Sequence, residues 1–297
     1  MDTLLTILVS GAAVGSLYAL IAFGYALVFK ASHTINLAAG ALVVLGGYTA
    51  YEIGAHGLGA PFTLSTLCAV ALTCAGGWLA YRLIARPLLG ATPDAVLVAT
   101  IGFDLALRSL MTSREKWTLN SLEVGSPWTN SVSLFHHLVA VSDLWIVAIA
   151  AVVLAALGAV VTWTRFGLNM RACAEDPEAA QAQGISLRRN LAAVWLIAAA
   201  LAGLVGVLVG TSPRTLDQSN FTWALRALPA VALGGMDSLR GAVMGGLIVG
   251  YAEAVSSAWQ PEVLGQGYQL VVPYALMLVV LLVRPQGLLG SREVSRV

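Results

Sequence analysis

The sequence predicts an all-α polytopic integral membrane protein, and three observations carry that prediction. Hydrophobic residues make up 58% of the 297 and charged residues only 10%. The mean hydropathy is +0.82, whereas ordinary soluble domains carry roughly a quarter charged residues to keep their surfaces wet. Several apolar runs approach or exceed the ~20 residues that cross a bilayer as a helix. The charges that remain are gathered between those runs, most densely from Thr164 to Asn190. In hydrocarbon every backbone N–H and C=O must be satisfied internally, so the runs are expected to be helices. Residues 1–297 are read as one domain with about eight or nine transmembrane segments.

Residues 3–29 form the first expected span, closed by Lys30. Asp2 is the sole early charge and the run is too long for a signal-peptide core, so it is read as a retained span. Gly11, Gly15 and Ala19 recur every four residues, a face on which another helix can pack closely. A second span covers residues 36–51. Asn36 at its start is either the helix cap or a polar group of a pathway. A turn at Gly57–Pro61 leads to a third span over 62–84, ending on Arg82 and Arg86.

The fourth span, 94–111, carries Asp104 and Arg108 four residues apart, hence on one helical face. A charge at mid-membrane costs about 2.5–3.5 kcal/mol on insertion scales, so these two are expected to be paired. They either neutralise each other or line a polar route. Residues 112–142 form the longest polar connection, with Trp117, Pro127, Trp128, His136 and His137. The adjacent histidines lack ligand spacing, and no metal site is expected. In span five, 144–163, Trp145 and Trp163 stand about 27 Å apart along a helix and read as interfacial anchors.

The charged stretch 165–190 follows. Asp176 is a plausible N-cap and Pro177 suits the first helical position. Glu178 complements the helix dipole. Ala179, Ala180 and Ala182 favour helix, and Gly184 reads as a stop. Glu175 and Asp176 add charge that keeps this short helix in water. After a sixth span at 191–210 and a polar link comes a short segment, residues 221–236, interrupted by Arg226 and Pro229. At about 15 residues it is marginal for a straight span, and either crosses as a broken helix or re-enters. Gly241, Gly245, Gly246 and Gly250 open the next span, again as a close-packing face. Glu253 lies toward its far end, as a headgroup-level carboxylate or part of a vestibule. The last span covers 268–283.

Four motifs, in order, carry a family resemblance. Glu178-Ala179-Ala180-x-x-x-Gly184 resembles the EAA-x-x-x-G signature of ABC-importer permeases. Thr34-Ile35-Asn36-Leu37-Ala38-Ala39-Gly40 is similar to an early motif of permeases for branched-chain amino acids and for urea. Leu233-Gly234-Gly235-Met236-Asp237-Ser238-Leu239-Arg240-Gly241-Ala242 and Arg284-Pro285-Gln286-Gly287-Leu288-Leu289-Gly290 resemble two later segments of the same family. Met236-Asp237 stands where a second glycine is common. The resemblance implies an inner-membrane permease subunit that works with a second permease, related or a copy of itself. It also implies two ABC ATPase subunits and a periplasmic or lipid-anchored substrate-binding protein, with membrane lipid around the bundle. Glu175 to Ala180 and Gly184 would then dock on the ATPase. Asn36, Asp104, Arg108, Arg226 and Glu253 are the candidates for the translocation path. Substrates implied are branched-chain or other hydrophobic amino acids, with urea or short amides as the alternative.

Charge sets the expected orientation. Nine segments with 165–190 inside leave the N-terminus outside and the C-terminus cytoplasmic. Lys30, Arg82, Arg86, Arg165, Arg171, Arg188, Arg189, Arg240, Arg284, Arg292 and Arg296 then lie inside, 11 of the 16 basic residues, as the positive-inside rule requires. Lys30 and Lys116 are the only lysines and neither follows a glycine-rich loop, so no phosphate cradle is expected in this chain. ATP and Mg²⁺ would be bound by partner subunits. No catalytic residue, metal site or nucleic-acid patch is expected, and few embedded carboxylates argue against a stand-alone secondary transporter. A scaffold without transport activity is the remaining alternative.

Overall fold

The computed structural model describes residues 2–54, 57–113, 122–128, 130–134, 137–259 and 267–290. Trp117, His136, Arg114, Lys116, Arg292 and Arg296 lie outside the described residues. Helices dominate: α1 (Asp2–Ser32), α2 (Ala39–Ile53), α3 (Phe62–Ala80, extended by a π turn over Tyr81–Ala85), α4 (Pro93–Thr112), α5 (Val141–Trp163), α6 (Arg165–Glu175) and α7 (Pro177–Ala182). After them come α8 (Leu187–Val209), α9 (Trp223–Arg226), α10 (Leu228–Gly234), α11 (Leu239–Ala258) and α12 (Tyr268–Val283). A two-stranded hairpin, β1 (Ser131–Leu134) and β2 (His137–Ala140), sits within the long polar connection. Among the described residues six helices are long and apolar enough to cross a membrane: those at 7–32, 62–85, 93–112, 141–163, 187–209 and 239–258. Helix α12 is shorter but apolar.

Small residues decide which helices touch. A Cβ on Gly250 would fall on the backbone of Gly15, and one on Gly246 on the backbone of Ala19. Gly11 faces the ring of Tyr251. Helices α1 and α11 therefore approach to backbone contact along most of their length, the geometry small-xxx-small faces permit. On the other side of α11, Gly241 and Gly245 meet the carbonyls of Gly234 and Ala230 in α10. A second group forms in the same way: Gly46 in α2 meets Gly203 in α8, Gly206 meets the carbonyl of Val43, and Gly77 in α3 meets Ala199. Leu17, Leu20, Leu42 and Leu208 fill the space where the two groups join and are wholly or almost wholly buried. Outward, α3, α4, α5 and α12 expose Leu67, Val98, Leu105, Val152, Leu278 and Leu282. Such an apolar exterior requires lipid or another protein.

The segment after α8 is broken. A 3-10 turn at Gln218–Thr222 leads into α9 and then α10, which Pro229 opens at a position where its missing N–H leaves no gap. Gly235 ends α10 with φ +107, packed on the backbone of Gly290. The C-terminal stretch clasps this end: Leu288 N donates to Leu233 O at 2.8 Å and Leu289 N to Gly234 O at 3.0 Å. Two features depart from expectation. Residues 165–175 form α6, which buries Gly167, Met170 and Cys173, because a span-like apolar count is not needed when three residues on one face suffice to seat a surface helix. Helix α2 starts at Ala39 rather than Asn36, for a reason given below.

Candidate functional site

The charged stretch presents a short, rigidly capped helix. The Asp176 side chain accepts hydrogen bonds from the N–H groups of Glu178 (3.0 Å) and Ala179 (2.9 Å). Pro177 occupies the first helical position. At the other end Gly184 has φ +80. Its N–H donates to Gln181 O at 2.9 Å, and Ile185 N to Ala180 O at 3.0 Å, the two-bond closure a left-handed glycine allows. Ala180 alone of α7 is buried; Pro177, Glu178, Ala179, Gln181 and Ala182 are exposed, as are Glu175, Asp176 and Gly184.

What holds α7 outward is its roots. Helix α6 is seated through Met170 and Cys173, with Asn190 Nδ2 donating to Cys173 Sγ at 3.4 Å and Arg171 Nη1 to Val161 O at 2.7 Å. Ser186 caps α8, its Oγ accepting from Arg189 N at 3.4 Å. Pro177, Cys173 and Ala174 line a cavity of about 190 Å³ together with Ser32, His33 and Leu89. The base of α7 thus borders the ends of α1 and of the α3–α4 connection.

Asp104 and Arg108 meet as their spacing requires, Arg108 Nε lying 2.6 Å from Asp104 Oδ2. The carboxylate does more than neutralise: Oδ1 accepts from Ala41 N at 2.8 Å. Ala41 is in the first turn of α2, whose preceding residue, Ala38, offers no side-chain cap. Asp104 therefore caps α2 from another helix. Asn36 instead accepts from Ala38 N at 3.1 Å, stabilising the turn before the helix, and α2 begins later than expected for that reason. Arg108 reaches further, Nη2 donating to Phe221 O at 3.4 Å with the guanidinium 4.6 Å from that ring centre.

Arg226 and Glu253 also come together, Nη1 lying 3.8 Å from Oε1. Tyr18 Oη donates to Glu253 Oε2 at 2.6 Å, and the Trp223 ring centre lies 5.3 Å from that of Tyr18. Sequence reasoning missed Tyr18, 235 positions away, since no local pattern marks a tyrosine inside an apolar run. It also missed Asp143, in the first turn of α5, which pairs with Arg214 at 2.8 Å. Asp104 and Arg108 contact α2 and Phe221, while Arg226 and Glu253 contact Tyr18; the two pairs lie at opposite ends of the short segment formed by the 3-10 turn and α9.

The chain is 35% identical to the high-affinity branched-chain amino acid transport system permease protein LivH of Salmonella typhimurium, over 97% of this chain and 96% of that one. It is 32% identical to BraD of Pseudomonas aeruginosa, a permease of the same description, over 98% and 97%. It is 26% identical to the Escherichia coli permease LivM, over 92% of this chain and 68% of that one. A family model described as branched-chain amino acid transport system / permease component matches residues 7–281, and the chain belongs to that family.

Proposed function

We propose that this chain is the membrane-spanning subunit of an ABC importer that carries branched-chain or other hydrophobic amino acids across the inner membrane. The relatives reported above are described as high-affinity branched-chain amino acid transport system permease proteins, which favours this reading over urea or short amides. The observation that carries the mechanism is α7, closed at both ends and buried at Ala180 alone. A helix so presented can seat in a cleft on another protein. Two ATPase subunits bind ATP and Mg²⁺ and grip α7 from the cytoplasm; this chain contributes no chemistry of its own. A second permease, a LivM-like chain or a copy of this one, completes the route, and a periplasmic or lipid-anchored binding protein delivers substrate.

When the ATPases close, α7 moves with them. Its root packs on α6, which packs on α1 and α8, and the displacement is passed to the helices that carry the two charge pairs. Alternating access then follows as a rigid-body tilt. The N-terminus lies outside and the C-terminus inside. Cysteine at Gln181, labelled in intact cells and in inverted vesicles, tests the reading: modification is expected from the cytoplasmic side only. Labelling from the periplasm would place α7 where no ATPase can reach it and overturn the proposal.

A further inference from the structure

Two arginine–carboxylate pairs bracket one segment of short, broken helices, the 3-10 turn and α9. Arg108 holds the carbonyl of Phe221 at one end and Arg226 faces Glu253 at the other. Two helical rulers set the depth of the second pair. Glu253 lies 14 residues into α11 from Leu239, about 21 Å, and Tyr18 lies 12 residues before Lys30, about 18 Å. Both figures fall well inside a ~30 Å hydrocarbon layer. The junctions between such short helices leave backbone groups unpaired within the segment, which inside a membrane is tolerated only where protein buries them or water reaches them. Discontinuous helices at mid-depth are where membrane transporters place polar substrates.

The two pairs differ in kind. Asp104 and Arg108 are in tight contact at 2.6 Å, with the carboxylate side chain 8% exposed and committed to Ala41 as well. Arg226 and Glu253 stand at 3.8 Å, beyond hydrogen-bond length, with side chains 24% and 16% exposed. Glu253 is hydrogen-bonded from behind by Tyr18, while Arg226 faces it at ion-pair distance only. A guanidinium offers five donors, and Arg226 spends few of them among the described residues. Charges left partly accessible at this depth cannot face lipid tails without a large penalty, so they face a route or a partner that wets them.

We infer that Arg226 and Glu253 receive the α-carboxylate and α-ammonium of a zwitterionic amino acid in passage, each residue exchanging its present partner for one end of the substrate. The inference rests on the importer reading. The exchange leaves every charge with one opposite neighbour. An organic acid without the amine would leave Glu253 unpaired, and an amine without the carboxylate would strand Arg226; an unpaired charge in such a place is strongly unfavourable. Trp223, packed on Tyr18, offers an apolar wall beside the pair. The station is therefore matched to a net-neutral molecule with charges of both signs a few ångströms apart.

The test is uptake of radiolabelled leucine by the purified importer, with its ATPases and binding protein, in proteoliposomes. Because the binding protein is unchanged, selection upstream of the membrane stays constant. The variants are Arg226→Gln, Glu253→Gln, the charge-swapped pair Arg226→Glu/Glu253→Arg, and the apolar pair Arg226→Met/Glu253→Leu, each compared as complexes carrying ATPase in the wild-type ratio. Each is expected to lose at least tenfold in uptake. A pair that served folding alone would be repaired by the swap or by the apolar replacement, so recovery of either double variant to within twofold of wild type overturns the inference. Should the swapped chain fail to assemble, the two Gln variants decide, uptake within twofold again overturning it. Failure of the wild-type chain to co-purify with any ATPase would sink the importer reading instead.

Discussion

Asp104→Ala removes a carboxylate that serves two helices at once. Taking one partner from a buried ion pair costs about 3–5 kcal/mol, because the other charge stays behind. Arg108 is 28% exposed and keeps its contacts to Phe221, which scales that term down to about 2–3 kcal/mol. Losing the acceptor for Ala41 N at the start of α2 adds about 1 kcal/mol, the usual worth of an N-cap. The total expected is about 3–4 kcal/mol. Asp104→Leu/Arg108→Met removes both charges and should retain only the capping loss, about 1 kcal/mol. A four-variant cycle of wild type, Asp104→Leu, Arg108→Met and the pair, with unfolding in mixed micelles titrated with dodecyl sulfate and followed by tryptophan emission, should yield a coupling of at least about 2–3 kcal/mol. An interhelical hydrogen bond alone averages about 0.6 kcal/mol in membranes, so the ion pair dominates. Additivity to within about 0.5 kcal/mol would refute the reasoning.

Gly246→Leu should force α1 and α11 apart, since its Cβ already falls on Ala19; a loss of about 1–3 kcal/mol is expected. Gly158→Leu, in open space, should shift micelle unfolding by less than about 0.5 kcal/mol, and equal losses at both positions would contradict the seam. Gly184→Val imposes a β-branched residue on φ +80 and Asp176→Ala removes the acceptor of two N–H groups. Each should lower ATP-driven uptake while membrane insertion, read by extraction and gel filtration, stays normal; Asp176→Asn should retain most of it. Glu178→Lys should abolish uptake with the same normal insertion, and normal uptake together with normal ATPase stimulation would contradict docking at α7.

Much of this was legible because its causes are local. The Asp176-Pro177 start and the Gly184 stop of α7 act over a few residues, so the helix could be placed without tertiary information. Asp104 and Arg108 meet because four residues make one helical turn. The rest depends on elements far apart in the chain. Asn36 has the chemistry of a cap, yet the carboxylate that closes α2 arrives from α4, and no pattern around Asn36 shows it. Tyr18 and Glu253 become partners only when α1 lies on α11. Helix α6 escaped notice because Arg165, Arg171 and Glu175 hide an inward face of Gly167, Met170 and Cys173. The broken 218–234 segment is marked by Arg226 and Pro229, but its clasp by Leu288 and Leu289 joins residues 55 positions apart, beyond any local pattern.

The pairing of Gly15 with Gly250 and of Ala19 with Gly246 has a bearing on biosynthesis. The first span emerges from the ribosome some 230 residues before the helix it fits, an interval of roughly 12–46 s at ~5–20 residues per second. During that time its notched face has nothing to close against except lipid or the insertion machinery. A nascent chain cut anywhere ahead of Leu239 would present an open notch to quality-control proteases, so arrested fragments should be short-lived, and the bundle locks only once α11 has been made.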